Sequence, residues 1–174
     1  LAQKVIKGIE KGEDERQYSQ IIDQVNTSCQ LMVDTVKHQV EEPVRNNKIV
    51  GLIGGDHSIS LGLIQTLHKQ YPKFTVLQID AHLDLRVAYQ SFTYSHASIM
   101  TNVLNLCPGI QIIPVGARDM CPDERLIADQ SKRLIPFYQS DIQEKLANGI
   151  HWQSICDEIV DQSDSHVYVS LDMD

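Results

Sequence analysis

Phe74-Thr-Val-Leu-Gln-Ile-Asp-Ala-His-Leu-Asp84 joins a run of strand formers to a cluster of ionisable side chains, and its reading decides the fold. Residues 74–79 are apolar almost without a break, as expected of a strand buried on both faces rather than one alternating between core and water. Similar runs stand at 48–53, 110–115 and 166–171, with a further candidate strand at 133–138. Between them the spacing becomes helical. Residues 16–40 place Ile21, Ile22, Val25, Cys29, Met32, Val33, Val36 and Val40 at three- and four-residue steps, and Glu42-Pro43 is expected to end that helix. Further helices are expected over 58–70, 96–106, 122–129, 142–146 and 152–160. Strand and helix alternate with continuously apolar strands, which predicts an α/β fold: a mainly parallel sheet covered by helices on both faces. No repeat, linker or low-complexity stretch interrupts the pattern, so residues 1–174 are expected to form a single α/β domain.

The composition limits what such a fold could do. The chain has 174 residues, 42% hydrophobic and 22% charged, which suits one globular core and excludes disordered or collagen-like classes. Its net charge of −8 argues against a surface that grips phosphate backbone, so no nucleic-acid partner is expected. No uncharged apolar run approaches a membrane span, and Lys4 and Lys7 interrupt the start where a signal peptide would be apolar. Cys29, Cys107, Cys121 and Cys156 are scattered with no C-x-x-C pair, which predicts reduced thiols and a cytoplasmic location. The chain begins at Leu1 without Met, and its last strand runs straight into Asp174; the fold is therefore expected to be incomplete at both ends.

In open parallel sheets ligands bind beyond the carboxyl ends of the strands. Three strand ends here carry metal-ligand chemistry: Gly54-Gly-Asp-His57-Ser58, Asp80-Ala-His82-Leu-Asp84, and Asp172-Met-Asp174 after residues 166–171. The i, i+2, i+4 spacing of Asp80, His82 and Asp84 would turn all three to one face if the chain stayed extended. A lone His57 would be a turn residue, Asp56 or Asp172 alone a helix cap, and Gly54-Gly55 alone a weak phosphate-loop hint. Four aspartates and two histidines converging on one spot are different, because buried carboxylates repel one another unless cations offset them. Arg86 is the only basic side chain within these motifs, so divalent metal is the natural counter-charge. Oxygen-rich ligation with some imidazole favours Mn²⁺ over Zn²⁺. Paired metals could deprotonate a water for hydrolysis.

These three motifs, in this order, resemble the metal signatures of the ureohydrolases, the arginase and agmatinase family. The resemblance spans residues 49–174. It implies a three-layer α/β/α fold of the arginase type with two Mn²⁺ per subunit. His57 and Asp84 would ligate one manganese and His82 and Asp174 the other, with Asp80 and Asp172 bridging. His96, in Tyr94-Ser-His-Ala-Ser98, is similar to the histidine that shuttles a proton to the leaving amine. The implied activity is cleavage of a guanidino C–N bond by a metal-bridging hydroxide to release urea from a small guanidino substrate. Asp84-Leu-Arg86 and Tyr94-Ser-His-Ala-Ser98 favour the agmatinase branch, which yields putrescine plus urea and belongs to polyamine biosynthesis. Arginase, formimidoylglutamase and guanidino-acid hydrolase stand as alternatives within the family, as does a catalytically silent member with a structural metal cluster. A one-zinc, amide-cleaving deacylase on a related fold is the rival outside it. Family analogy implies a homo-oligomer, trimer or hexamer.

Overall fold

The computed structural model describes residues 1–173, in which three α-helices precede the first strand, one lies between the first and second strands, and three lie between the second and third. The helices are α1 (Ala2–Glu10), α2 (Ser19–Arg45), α3 (Ser60–Gln70), α4 (Ile99–Leu106), α5 (Pro122–Gln130), α6 (Gln139–Ala147) and α7 (Trp152–Gln162). The strands are β1 (Thr75–Ile79), β2 (Gln111–Val115) and β3 (Val167–Leu171), all parallel, in the order β2-β1-β3. Residues 133–137 run beside β2 and pair with it at Leu134 and Phe137, as expected for that segment, though only as isolated bridges.

Alternation along the strands separates two cores. Val76 and Ile112 face a cluster containing Leu61 and Ile64 of α3, Ile99, Met100 and Val103 of α4, and Val33 of α2. Leu77, Ile113 and Val115 face the opposite way, onto Ile142 of α6 and Ile155 and Ile159 of α7. Helices therefore cover both faces of the sheet, giving the three-layer α/β/α arrangement expected from the sequence. The helix layer on the first face is tight where α2 meets α3. A Cβ added at Gly62 would stand 2.6 Å from the Val33 carbonyl oxygen and 2.8 Å from Val36 Cβ. Gly62→Ala is expected to lower stability by about 1–3 kcal/mol despite the better helix propensity of alanine, measured by urea unfolding, because the α2 backbone must move to admit the methyl group.

Residues 48–53, expected as a strand, form none. Val50 and Leu52 pack against Val40, Val44, Leu63 and Tyr168, while Ile49 and Ile53 lie fully in solvent. The side chains alternate as in a strand, but a cleft of about 630 Å³ separates the segment from β3 and no ladder closes across it. β3 is also not buried on both faces: Val167, Val169 and Leu171 are exposed because the α6–α7 cluster packs on β1 and β2 and does not reach them, while Tyr168 and Ser170 turn inward. Pro43, expected to end the second helix, instead lies inside α2. The helix closes just beyond it, where Asn47 takes a φ of 53°, Lys48 N donates to Pro43 O and Asn47 N donates to Val44 O. The missing proline N–H therefore disturbs only the last turn.

Candidate metal centre

The register of the sheet assembles the site. Gln78 of β1 pairs with Ser170 of β3, and the Asp172 amide donates to Ile79 O, so Asp80 and Asp172 leave the sheet side by side. From the other direction, Asp56 caps a short 3-10 turn by accepting from Ser58 N at 3.0 Å. This capped entry to α3 buries His57 among the carboxylates. The ligand atoms of His57, Asp80 and Asp172 all fall within 4.8 Å of one another. His57 Nδ1 lies 2.8 Å from Asp84 Oδ2, 3.3 Å from Asp80 Oδ2 and 3.7 Å from Asp172 Oδ2.

The 80–84 segment is not extended. Asp80 Oδ1 accepts the His82 amide at 2.8 Å, which turns the chain, and Asp84 has a left-handed φ of 53°. Asp80 and Asp84 are consequently buried, whereas the His82 ring is half-exposed, with Nδ1 3.4 Å from Asp80 Oδ1 and Nε2 3.8 Å from Asp119 Oδ2. The two oxygens of Asp80 thus face two different imidazoles, the arrangement a bridging carboxylate requires. His96 is exposed on the rim of a cavity of about 350 Å³ that it shares with His82, Asp84, Asp119 and Asp172. Asp174 lies outside the described residues.

Burial alone would depress the basicity of His57, but hydrogen bonds and charge from Asp80 and Asp84 outweigh it and raise the pKa to about 9. Asp80 shows the complementary balance: burial pushes its carboxyl up, and hydrogen bonds from His57, the His82 amide and Gln78 hold it below the ordinary carboxylate range. Asp84 is raised, first by burial and then by the charge of Asp80. Even with His57 protonated, Asp80, Asp84 and Asp172 leave the cluster negative. Among the described residues, Asp80 and Asp84 are paired with imidazoles and with no Lys or Arg. Buried carboxylates and imidazoles with unbalanced negative charge form a donor set that fits a hard or borderline divalent cation such as Mn²⁺.

The partners behind these side chains were not singled out from sequence. His57 Nε2 donates to Ser170 Oγ at 2.7 Å, fixing the ring so that Nδ1 faces the carboxylates. Ser170 is two residues before Asp172 on β3, and that i, i+2 spacing was the available signal. Burial pushes the neighbouring Tyr168 phenol up, against an opposing influence of the Ser60 and Ser170 hydroxyls. Ser170→Ala is expected to weaken Mn²⁺ binding by about 10–100-fold, because the ring loses the acceptor that orients it. Titration followed by the EPR signal of free Mn²⁺ measures this, and an affinity unchanged within twofold would contradict it.

The parallel sheet, its two helix layers and a histidine–carboxylate cluster at the strand ends define an α/β protein whose site chemistry suits divalent metal. Residues 7–174 match the arginase family, and the chain belongs to it. It is 31% identical over 145 residues to the N(1)-aminopropylagmatine ureohydrolase of Synechocystis sp., a match covering 82% of this chain and 44% of that protein. The crystal structure of agmatine ureohydrolase from Thermoplasma volcanium superposes with a TM-score of 0.64 at 25% identity, covering 81% of this chain and 45% of that one. Arginase from Bacillus subtilis shares the fold with a TM-score of 0.66 at 22% identity, over 80% and 52% of the two chains. The chain spans about half the length of the relatives it matches.

Proposed function

We propose that this chain carries the metal-binding part of a ureohydrolase that hydrolyses agmatine, or a close amine-tailed guanidine, to urea and the corresponding amine. The observation that carries the proposal is the convergence of His57, Asp80 and Asp172 within 4.8 Å, with Asp84 hydrogen-bonded to the same imidazole nitrogen. His57 and Asp84 would hold one Mn²⁺, His82 and Asp174 the other, and Asp80 and Asp172 would bridge. When bound, the metals supply Lewis-acid charge that lowers the pKa of water to the neutral range.

The protein's own groups then divide the remaining work. Asp119, on the cavity wall outside the ligand set, attracts a cationic guanidinium. His96, on the same wall, delivers a proton to the amine nitrogen as the C–N bond breaks, so that the leaving group departs neutral. The names of the similar enzymes, agmatine and N(1)-aminopropylagmatine ureohydrolase, support substrates bearing a distal amine in place of the carboxylate of arginine. The same reading places the enzyme in the cytoplasm as a homo-oligomer. Among the described residues, no helix is long and apolar enough to cross a membrane. The test is urea release by the full-length, Mn²⁺-loaded protein from agmatine, N(1)-aminopropylagmatine, arginine, formimidoylglutamate and guanidinobutyrate in parallel. Preference for either amine-tailed substrate supports the proposal; two bound metals with no urea from any of them overturns it.

A further inference from the structure

Glu124, near the start of α5, is a buried carboxylate outside the metal motifs, and both of its oxygens are committed. Oε1 accepts the amide of Leu85 at 3.1 Å, and Oε2 accepts the amide of Cys121 at 3.0 Å and lies 3.7 Å from Arg86 Nε. Leu85 directly follows Asp84, whose φ of 53° lies in the left-handed region that L-residues seldom occupy and aspartate tolerates better than most. Two more backbone bonds clamp the same turn: Met100 N donates to Asp84 O at 3.1 Å, and Arg86 N donates to Ala97 O at 3.0 Å. The knot continues on the surface, where the Arg86 guanidinium lies over the Tyr89 ring and Tyr89 meets His96 edge-on. One carboxylate thus joins the turn that aims Asp84, the start of α5, and through Arg86 and Tyr89 the wall that carries His96.

We infer that Glu124 is a positioning residue for the metal centre: it holds the 84–86 turn so that the Asp84 carboxylate stays aimed at the ligand position it shares with His57. The chemistry requires an acid at this site. Both bonded partners are backbone donors, and a carboxylate accepts from both with charge-assisted bonds. A glutamine offers one oxygen and one NH₂, so one of the two amides must lose its acceptor. The signal in the sequence is the Cys121-x-x-Glu124 spacing, in which the third helical residue reaches back to the residue that caps the helix. Here that side chain performs the capping bond and grips the metal turn at the same time.

The inference rests on the metal reading of the cluster, and Mn²⁺ itself is the probe. Free Mn²⁺ followed by EPR during titration of full-length wild type, Glu124→Gln and Glu124→Asp gives the affinities, with far-UV CD and thermal unfolding recorded on the same samples. Folded Glu124→Gln is expected to bind Mn²⁺ 10–100-fold more weakly, as is typical when a partner behind a ligand is lost, with Glu124→Asp in between because it keeps both oxygens. A purely structural Glu124 would lower the melting temperature and leave Mn²⁺ affinity within twofold of wild type, which overturns the inference. Should Glu124→Gln not fold, Glu124→Asp decides by the same twofold criterion. If wild type takes up no Mn²⁺, the metal reading falls and this inference falls with it; wild-type uptake matched by the variant removes the inference alone.

Discussion

Replacing Asp80 by Asn is expected to lower Mn²⁺ affinity by about 10³-fold and, under the proposed ureohydrolase function, to abolish guanidine hydrolysis with it. Asp80 is the carboxylate whose two oxygens face two imidazoles, His57 at 3.3 Å and His82 at 3.4 Å, so its charge serves both ligand positions. One unit charge at about 4 Å and an effective dielectric of about 20 is worth about 4 kcal/mol, or about three decades of affinity. The substitution keeps the volume, and an amide oxygen can still accept the His82 N–H that turns the chain. The new NH₂, however, must point toward Gln78 Nε2 or the His57 ring, where the carboxylate oxygen now accepts. Metal content after dialysis, measured by mass spectrometry beside far-UV CD, tests this: a folded variant retaining wild-type metal would remove Asp80 from the ligand set.

How far the sequence could be read depended on whether local pattern or neighbouring chain decides each element. The runs at 74–79 and 110–115 became β1 and β2, within a residue at each start, because their neighbours in the sheet are present. Residues 48–53 have equally good strand chemistry and the right alternation, yet form no ladder, since a strand exists only in hydrogen-bonding contact with a neighbour and a cleft holds this segment away from β3. Pro43 misled for the opposite reason: a strong local breaker matters little within the last turn of a helix.

The site was legible in its ligand types and less so in its supports. Carboxylates and imidazoles at strand ends are expensive to bury, so the motifs around His57, Asp80 and Asp172 pointed to one place without any knowledge of pairing. Their geometry still differs from the extended arrangement the i, i+2, i+4 spacing suggested. The turn at 80–84 buries Asp80 and Asp84 together while leaving His82 half-exposed beside Asp119. Ser170 and Glu124 escaped because neither residue type is diagnostic of a metal site. A serine on a strand and a glutamate in the first turn of a helix have ordinary structural roles, and only the fold shows that one meets His57 and the other the amide after Asp84.

In the metal-free protein, stability is expected to fall as the pH rises from about 6.5 to about 9, the reverse of its response to added Mn²⁺. Burial works against a charged His57, but Asp80 and Asp84 more than compensate and hold its pKa near 9, against 6.5 for an unperturbed histidine. Folding therefore takes up a proton in this interval. The stabilisation is complete below pH 6.5 and is lost as pH passes through 9, an effect of about 3 kcal/mol for a pair so fully removed from water. Asp80 acts on the other flank: its lowered pKa contributes stability that is present above the ordinary value of 3.8 and lost in stronger acid. Metal-free protein should thus be most stable in mildly acidic solution, measurable as urea midpoints in EDTA at pH 6, 7.5 and 9. Saturating Mn²⁺ should invert the upper limb, because the cation takes the place of the Nδ1 proton and binds more tightly as that competitor leaves. A midpoint in EDTA that is flat between pH 6 and 9 would show that His57 does not hold its proton against these carboxylates, and the charge balance that makes the cluster a cation site would have to be rebuilt without it.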